Sequence, residues 1–220
     1  VEQKEKYHHK DVFYHTLEVL DNISKYTGKL ELRLAALLHD IGKPRTKRYA
    51  PGSGWSFHGH EVVGRHMAKG ILKKMRYSSD LSEYVQKLVN LHLRPMALVN
   101  EEVTDSAIRR LVFLAGDEID DLMTLCRADI TSKNPQRVKR YLGNYDYVVQ
   151  KIAEVEERDR IRNFQPPVDG LEIMEMFDLK PGPTVGKIKK FIEEAILNGD
   201  VANDHDACLD YIREHRTELE

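Results

Sequence analysis

Long apolar runs are the first thing missing from these 220 residues. No stretch approaches the roughly 18 to 20 uninterrupted apolar residues that a membrane-spanning helix needs. The polar start, VEQKEKYHHK, lacks the apolar core of a secretory leader. Cysteine is nearly absent too. Cys126 and Cys208 show no C-x-x-C spacing and fall within helical apolar patterns, so they read as buried thiols, not as a disulfide or a zinc knuckle. Nothing here points to an oxidising compartment, and a cytoplasmic location is expected. Strand signals are scarce, aromatics make up 8%, and no internal repeat or low-complexity segment is present. The chain begins without Met and ends in Leu219-Glu220, which reads as an excised fragment.

What is present is helix-forming and charged. Hydrophobic residues are 41% of the chain, enough to bury a core, and charged residues are 32%. The net charge of -2 conceals an uneven distribution. Residues 1–132 carry +2, residues 133–162 carry +3, and residues 163–220 carry -7. The front and middle can face a polyanion; the acidic tail as a whole cannot easily do so.

Apolar residues recur at i, i+3, i+4 and i+7 between Gly and Pro clusters, so about eight to ten helices are expected. Val12, Thr16, Val19, Leu20 and Ile23 form a first stripe. Leu32, Ala35, Ala36 and Leu38 form a second, predicted to stop at Gly42-Lys43-Pro44. A turn-rich loop is expected from Pro44 to about His58, long enough to overhang a site. Further helices are expected near 59–75, 80–93, 105–115, 117–131 and 135–161. The Pro166-Pro167 boundary precedes a short helix from Leu171 to Phe177 and two more helices ending near His215.

Several polar residues fall on the apolar stripes. His15 lies three after Val12 and four before Val19, Asp129 lies four after Leu125, and His92 lies four after Leu88. His39 and Asp40 close the run Ala35-Ala36-Leu37-Leu38. Each alone is more often a hydrogen-bonded core residue than a ligand. Buried carboxylates are costly unless paired or metal-bound, however, and inward carboxylates and imidazoles from separate helices can satisfy one another by converging on a cation.

The order His15, then His39-Asp40 within LLHDIGKP, then Asp129 within RADITSKN resembles the metal-dependent HD phosphohydrolase superfamily. The flanking segments HKDVFYHTLEVLDN, HDIGKPRTKRY, FHGHEVVGRHMAKGIL and DLKPGPTVGKIKKFIEEAILNGDV are similar to the C-terminal half of bacterial tRNA nucleotidyltransferase/poly(A) polymerase proteins that carry an HD domain. This resemblance implies an all-α fold with an HD domain over 1–132, a long connecting helix over 133–164 and a helical tail over 165–220. It implies a divalent metal ion (Mn, Ni, Co, Fe or Mg) held by His15, His39, Asp40 and Asp129. The mixed imidazole and carboxylate set suits such an ion better than a closed tetrahedral zinc site.

Asp40 is expected both to ligate and to orient the nucleophile. His60 and His92 match positions that hold a second metal or contact phosphate in some HD proteins. Lys43 and Arg94 lie within a few residues of proposed ligands and would stabilise a phosphoryl transition state. The implied substrate is a phosphomonoester or 2',3'-cyclic phosphate on a nucleotide or RNA end, with tRNA a partner of the longer protein and no membrane involved. The nucleotide-adding head of such proteins, a Gly-Ser turn and an Asp-x-Asp pair, is missing. The single Asp-x-Asp, Asp204-His205-Asp206, reads as a solvated helix start. A competing expectation is an RNA-binding body whose HD pocket is vestigial. Basic residues at Arg137, Lys139 and Arg140, and at Lys187, Lys189 and Lys190, would then contact RNA locally.

Overall fold

Side-chain caps set where several of the helices begin. The computed structural model describes residues 11–52, 54–100 and 103–219. The polar segment 1–10 lies outside them. Asp11 accepts from the Phe13 amide and starts α1 (Val12–Ser24). Ser78 does the same for Leu81 at the head of α5 (Ser79–Leu91), and Thr104 for Ala107 at α7 (Asp105–Ala115). Each satisfies an amide that the helix leaves without a partner. Between these lie α2 (Leu30–Leu38), α3 (Lys43–Thr46), α4 (His60–Lys74) and α6 (Arg94–Asn100). A 3-10 turn over Gly116–Glu118 leads into α8 (Ile119–Ala128), followed by the 25-residue α9 (Pro135–Asp159).

The remaining helices are α10 (Gly170–Phe177), α11 (Pro183–Asn198), α12 (His205–Glu214) and α13 (Arg216–Leu219). At α10 a capping box joins Asp169 and Glu172, and at α12 the Asp204 carboxylate accepts from Ala207. The Asp-x-Asp is therefore a helix start. The fold is all-α apart from a hairpin in which β1 (Arg48–Ala50) pairs antiparallel with β2 (Gly54–Ser56). Among the described residues no helix is long and apolar enough to cross a membrane.

Two expectations change. The second helix stops at Leu38, with His39 as its C-cap, not at Gly42-Lys43-Pro44. Gly42 sits at φ -77°, ψ -21°, an ordinary right-handed conformation, so it is no left-handed helix stop. The loop expected from Pro44 to His58 is largely ordered, as α3 plus the hairpin.

The chain divides into two compact units. One takes the chain up to Glu102 and Asp117–Val149; the other takes Val103–Gly116 and Gln150–Glu220. In the second unit α7 packs against α11. In the first unit α4 packs on α5, α1 and α5 on α2, and α8 on α1 and α2. Val19, Ile23, Leu32, Leu72, Leu88, Leu122 and Leu125 are buried there, all on the predicted stripes or their counterparts in α4 and α8. In the second unit Ile108, Leu111, Ile173, Ile188, Ile192 and Ile212 are buried. Both cysteines are buried free thiols.

Candidate metal centre

Helix ends, more than helix faces, build the polar cluster of the first unit. His39, His92 and Asp129 are the C-caps of α2, α5 and α8, and His60 is the first residue of α4. His15 alone comes from mid-helix, on the buried face of α1. Three helix C-termini thus end at one place, and each carries a partial negative charge that favours a cation nearby.

The side chains meet on two sides of Asp40. Its Oδ2 lies 3.4 Å from His15 Nε2, 3.3 Å from His39 Nε2 and 2.8 Å from Lys43 Nζ. Its Oδ1 lies 3.3 Å from His60 Nε2 and 3.9 Å from His92 Nε2. Asp129 Oδ1 stands 2.9 Å from His15 Nε2 and 3.4 Å from His39 Nε2. Two groups have donor atoms close enough to share an ion: His15, His39 and Asp129 on one side, and Asp40, His60 and His92 on the other.

Every imidazole turns its Nε2 inwards because its Nδ1 is engaged behind it. His39 Nδ1 donates to the Ala36 carbonyl at 2.7 Å, His60 Nδ1 to Phe57 at 2.9 Å and His92 Nδ1 to Val89 at 2.7 Å. His15 Nδ1 meets the Thr131 hydroxyl at 3.0 Å. A carbonyl can only accept, so in the neutral ring the proton sits on Nδ1 and the lone pair on Nε2 faces the cluster. His60 Nε2 and His92 Nε2 stand 3.3 Å apart, two lone pairs directed at each other when both rings are neutral. Such an approach is stabilised by a cation between them.

Fit to a cation is also legible in the buried atoms that hydrogen bonding leaves over. His39 Nε2, Asp40 Oδ2 and Asp129 Oδ1 have no hydrogen-bond partner. The short approaches to them are ion pairs by distance, and Asp40 Oδ2 also meets the Lys43 ammonium. Unsatisfied buried groups of this kind are expensive, and three in one cluster call for an ion. Separations of 2.9 to 3.4 Å suit ligands about 2.1 Å from one ion at roughly right angles. The Asp129 side chain is 29% exposed, yet its Oδ1 is buried, so the carboxylate stands at the rim with one oxygen inside.

Electrostatics follow the same layout. Burial opposes charge on Asp40, but His39, His60 and Lys43 outweigh it and hold that carboxyl well below the usual range. Burial is likewise overcome at Asp129 by His15 and His39. His39 is held well above the ordinary imidazole value because Asp40 and Asp129 outweigh its burial. His92 goes the other way, to about 4, through burial and repulsion by His39, and is neutral at pH 7.

Of the residues singled out by the sequence, His15, His39, Asp40, Asp129, His60 and His92 come together. Lys43 is buried against Asp40 and not in solvent. Arg94 opens α6 two residues after His92 with its side chain exposed, outside the cluster's ion pairs among the described residues. Sequence reasoning missed Thr131, for which a hydroxyl two residues after Asp129 was the only signal. It also missed Asn22, whose side chain donates to the Ala128 carbonyl at 3.1 Å and ties α1 to the end of α8. Cys126 similarly ties α8 to α5 through the His92 carbonyl, with Sγ 3.2 Å from the oxygen.

A helical body with a His/Asp cluster at converging helix ends is the arrangement of the HD domain, whose family matches residues 12–132; the chain belongs to that family. Over 91% of its length it is 32% identical to an A-adding tRNA nucleotidyltransferase of Deinococcus radiodurans, covering 46% of that protein. It is 33% identical, again over 91% of its length, to a CC-adding tRNA nucleotidyltransferase of Thermus thermophilus, covering 44% of it. A CCA-adding enzyme of Streptococcus mutans is 49% identical over 29% of this chain and 16% of the relative. The chain thus spans less than half the length of the curated relatives it matches.

Proposed function

We propose that this chain is the metal-dependent phosphohydrolase part of a tRNA nucleotidyltransferase-like cytoplasmic protein, acting on a phosphomonoester or 2',3'-cyclic phosphate of a nucleotide or RNA end. One observation carries the reading: Asp40 stands between two groups of inward Nε2 atoms, with His39 Nε2, Asp40 Oδ2 and Asp129 Oδ1 buried and making no hydrogen bond. A divalent ion held by His15, His39, Asp40 and Asp129 would supply Lewis acidity toward a phosphoryl oxygen and toward water.

The chain's own groups do the rest. Two carboxylates, Asp40 and Asp129, face the cluster together with the single Lys43 ammonium, which pairs with Asp40. Lys43 holds Asp40 by charge, so its role in this reading is to position that carboxylate; it does not touch phosphate. His60 and His92 present lone pairs to the far side of Asp40. Arg94, exposed and two residues after His92, would meet the phosphate in this reading.

The test is turnover of 2',3'-cyclic AMP by purified chain reconstituted with each divalent metal in turn. Turnover is expected with at least one metal and should fall to background in Asp40→Ala; an equally active variant would remove Asp40 from the chemistry. The competing reading, an RNA-binding body without chemistry of its own, is favoured by the relatives' printed names, which describe nucleotide addition and not hydrolysis. It predicts no turnover with any metal and a tRNA affinity that falls steeply with salt.

A further inference from the structure

The hairpin between Lys43 and His60 carries an exposed aromatic pair that the reading above does not use. Tyr49 and Trp55 are cross-strand partners, so both rings project from one face of the ribbon. Their centroids are 5.1 Å apart at 62°, and they remain 62% and 43% exposed. Pairing with each other explains the contact but leaves the outer ring faces in water. The segment itself is rich in cations, with the Asp11 carboxylate of the first helix facing Lys47. Lys47 Nζ lies 4.1 Å above the Trp55 ring, Arg45 and Arg48 are exposed, and no acidic residue occurs between Asp40 and Glu61. Both ends of the hairpin are rooted at the cluster. Lys43 pairs with Asp40, the Thr46 hydroxyl reaches the Phe57 carbonyl at 3.5 Å, and the same carbonyl holds the His60 ring. Trp55 is only two residues, about 7 Å of strand, beyond that pinch.

We propose that the Tyr49–Trp55 pair, with Arg45, Lys47 and Arg48, is a stacking platform for the bases of a single-stranded RNA end whose terminal phosphate enters the Asp40 cluster. Flat π faces set among cations are what a single strand needs, since bases stack on the rings while phosphates meet the charges. Several cations, more than one phosphate requires, favour a strand over a mononucleotide. Only the entry of the terminal phosphate rests on the hydrolase reading; the stacking itself does not.

Trp55 is the chain's single tryptophan, so its fluorescence reports on this hairpin alone. The experiment titrates metal-free wild-type chain with a short oligoadenylate, the same strand without bases, AMP, and vesicles containing an anionic lipid. Saturable quenching by the oligoadenylate is expected, absent with the baseless strand and much weaker with AMP. The double variant Arg45→Gln/Arg48→Gln, which leaves both rings in place, should bind on the order of tenfold more weakly at low salt. No quenching by RNA, equal quenching by the baseless strand, AMP binding as tightly as the strand, or a response to vesicles alone would each overturn the platform. Quenching in a chain that never turns over a phosphate would remove the hydrolase and leave the platform standing; turnover without quenching would do the reverse.

Discussion

Gly42 and His60 meet backbone to backbone: a Cβ on Gly42 would stand 2.1 Å from the His60 carbonyl oxygen and 2.7 Å from the Gly64 amide nitrogen. With its right-handed φ of -77°, Gly42 is required by this approach and not by its own conformation. The contact seats the turn after His39-Asp40 on the first turn of α4, which brings His60 to Asp40. Gly42→Ala should therefore cost about 2–3 kcal/mol, because the obstruction is backbone that cannot rotate away. Urea denaturation measures it, and a change within about 0.5 kcal/mol would show that the turn shifts freely.

Asp40 presents one oxygen to each half of the cluster, so the two halves should load separately. Wild-type chain dialysed against Mn is expected to retain two equivalents by elemental analysis. His92→Ala should retain one, held by His15, His39 and Asp129, and His15→Ala should weaken that same half. Loss of all metal in His92→Ala would mean a single site shared by every ligand.

Thr131 meets the cluster at His15, whose Nδ1 lies 3.0 Å from its hydroxyl. The near-isosteric Thr131→Val keeps the volume and removes the partner that orients the ring. Metal affinity should fall about tenfold or more while folding stability changes little, since a partner behind a ligating imidazole tunes the ligand. Competitive titration with a metal indicator gives the affinity; an unchanged value would assign His15 its orientation by packing alone.

Asp159, in the second unit, accepts from Arg158 and from Arg109, each at 2.7 Å. Arg158 first, then Arg109, hold its carboxyl below the ordinary range against the opposing effect of burial. A depressed folded value means that the stabilisation is complete above the unfolded pKa of about 4 and is lost as pH falls through the folded one. Asp159→Asn should cost about 1–2 kcal/mol at pH 7, and the gap to wild type should close as acid protonates the wild-type carboxyl. A pH-independent gap would mean that the loss is packing, not charge.

Much of the fold was legible before any coordinates. The stripe containing Val19 and Ile23, the helix start at Asp204, and α7 over 105–115 follow from periodicity and capping chemistry, which act within a few residues. His15 was recognisable as inward because a mid-helix side chain inherits its direction from its stripe. The pairing of β1 with β2 was not. Three-residue strands have too few positions to show alternation, and only the cross-strand contact of Tyr49 with Trp55 marks them.

Residue type and order along the chain determined that this is a helical protein carrying inward histidines and carboxylates, because helical period and the cost of burying charge are local properties. Only the tertiary structure decided that Asp40 faces two groups of imidazoles, that Lys43 turns inward to pair with it, and that Gly42 yields its side chain to the start of α4. Those facts depend on how close one helix end comes to another. Such distances are set by the packing of α2, α4, α5 and α8 as a whole, and no short window of sequence contains them.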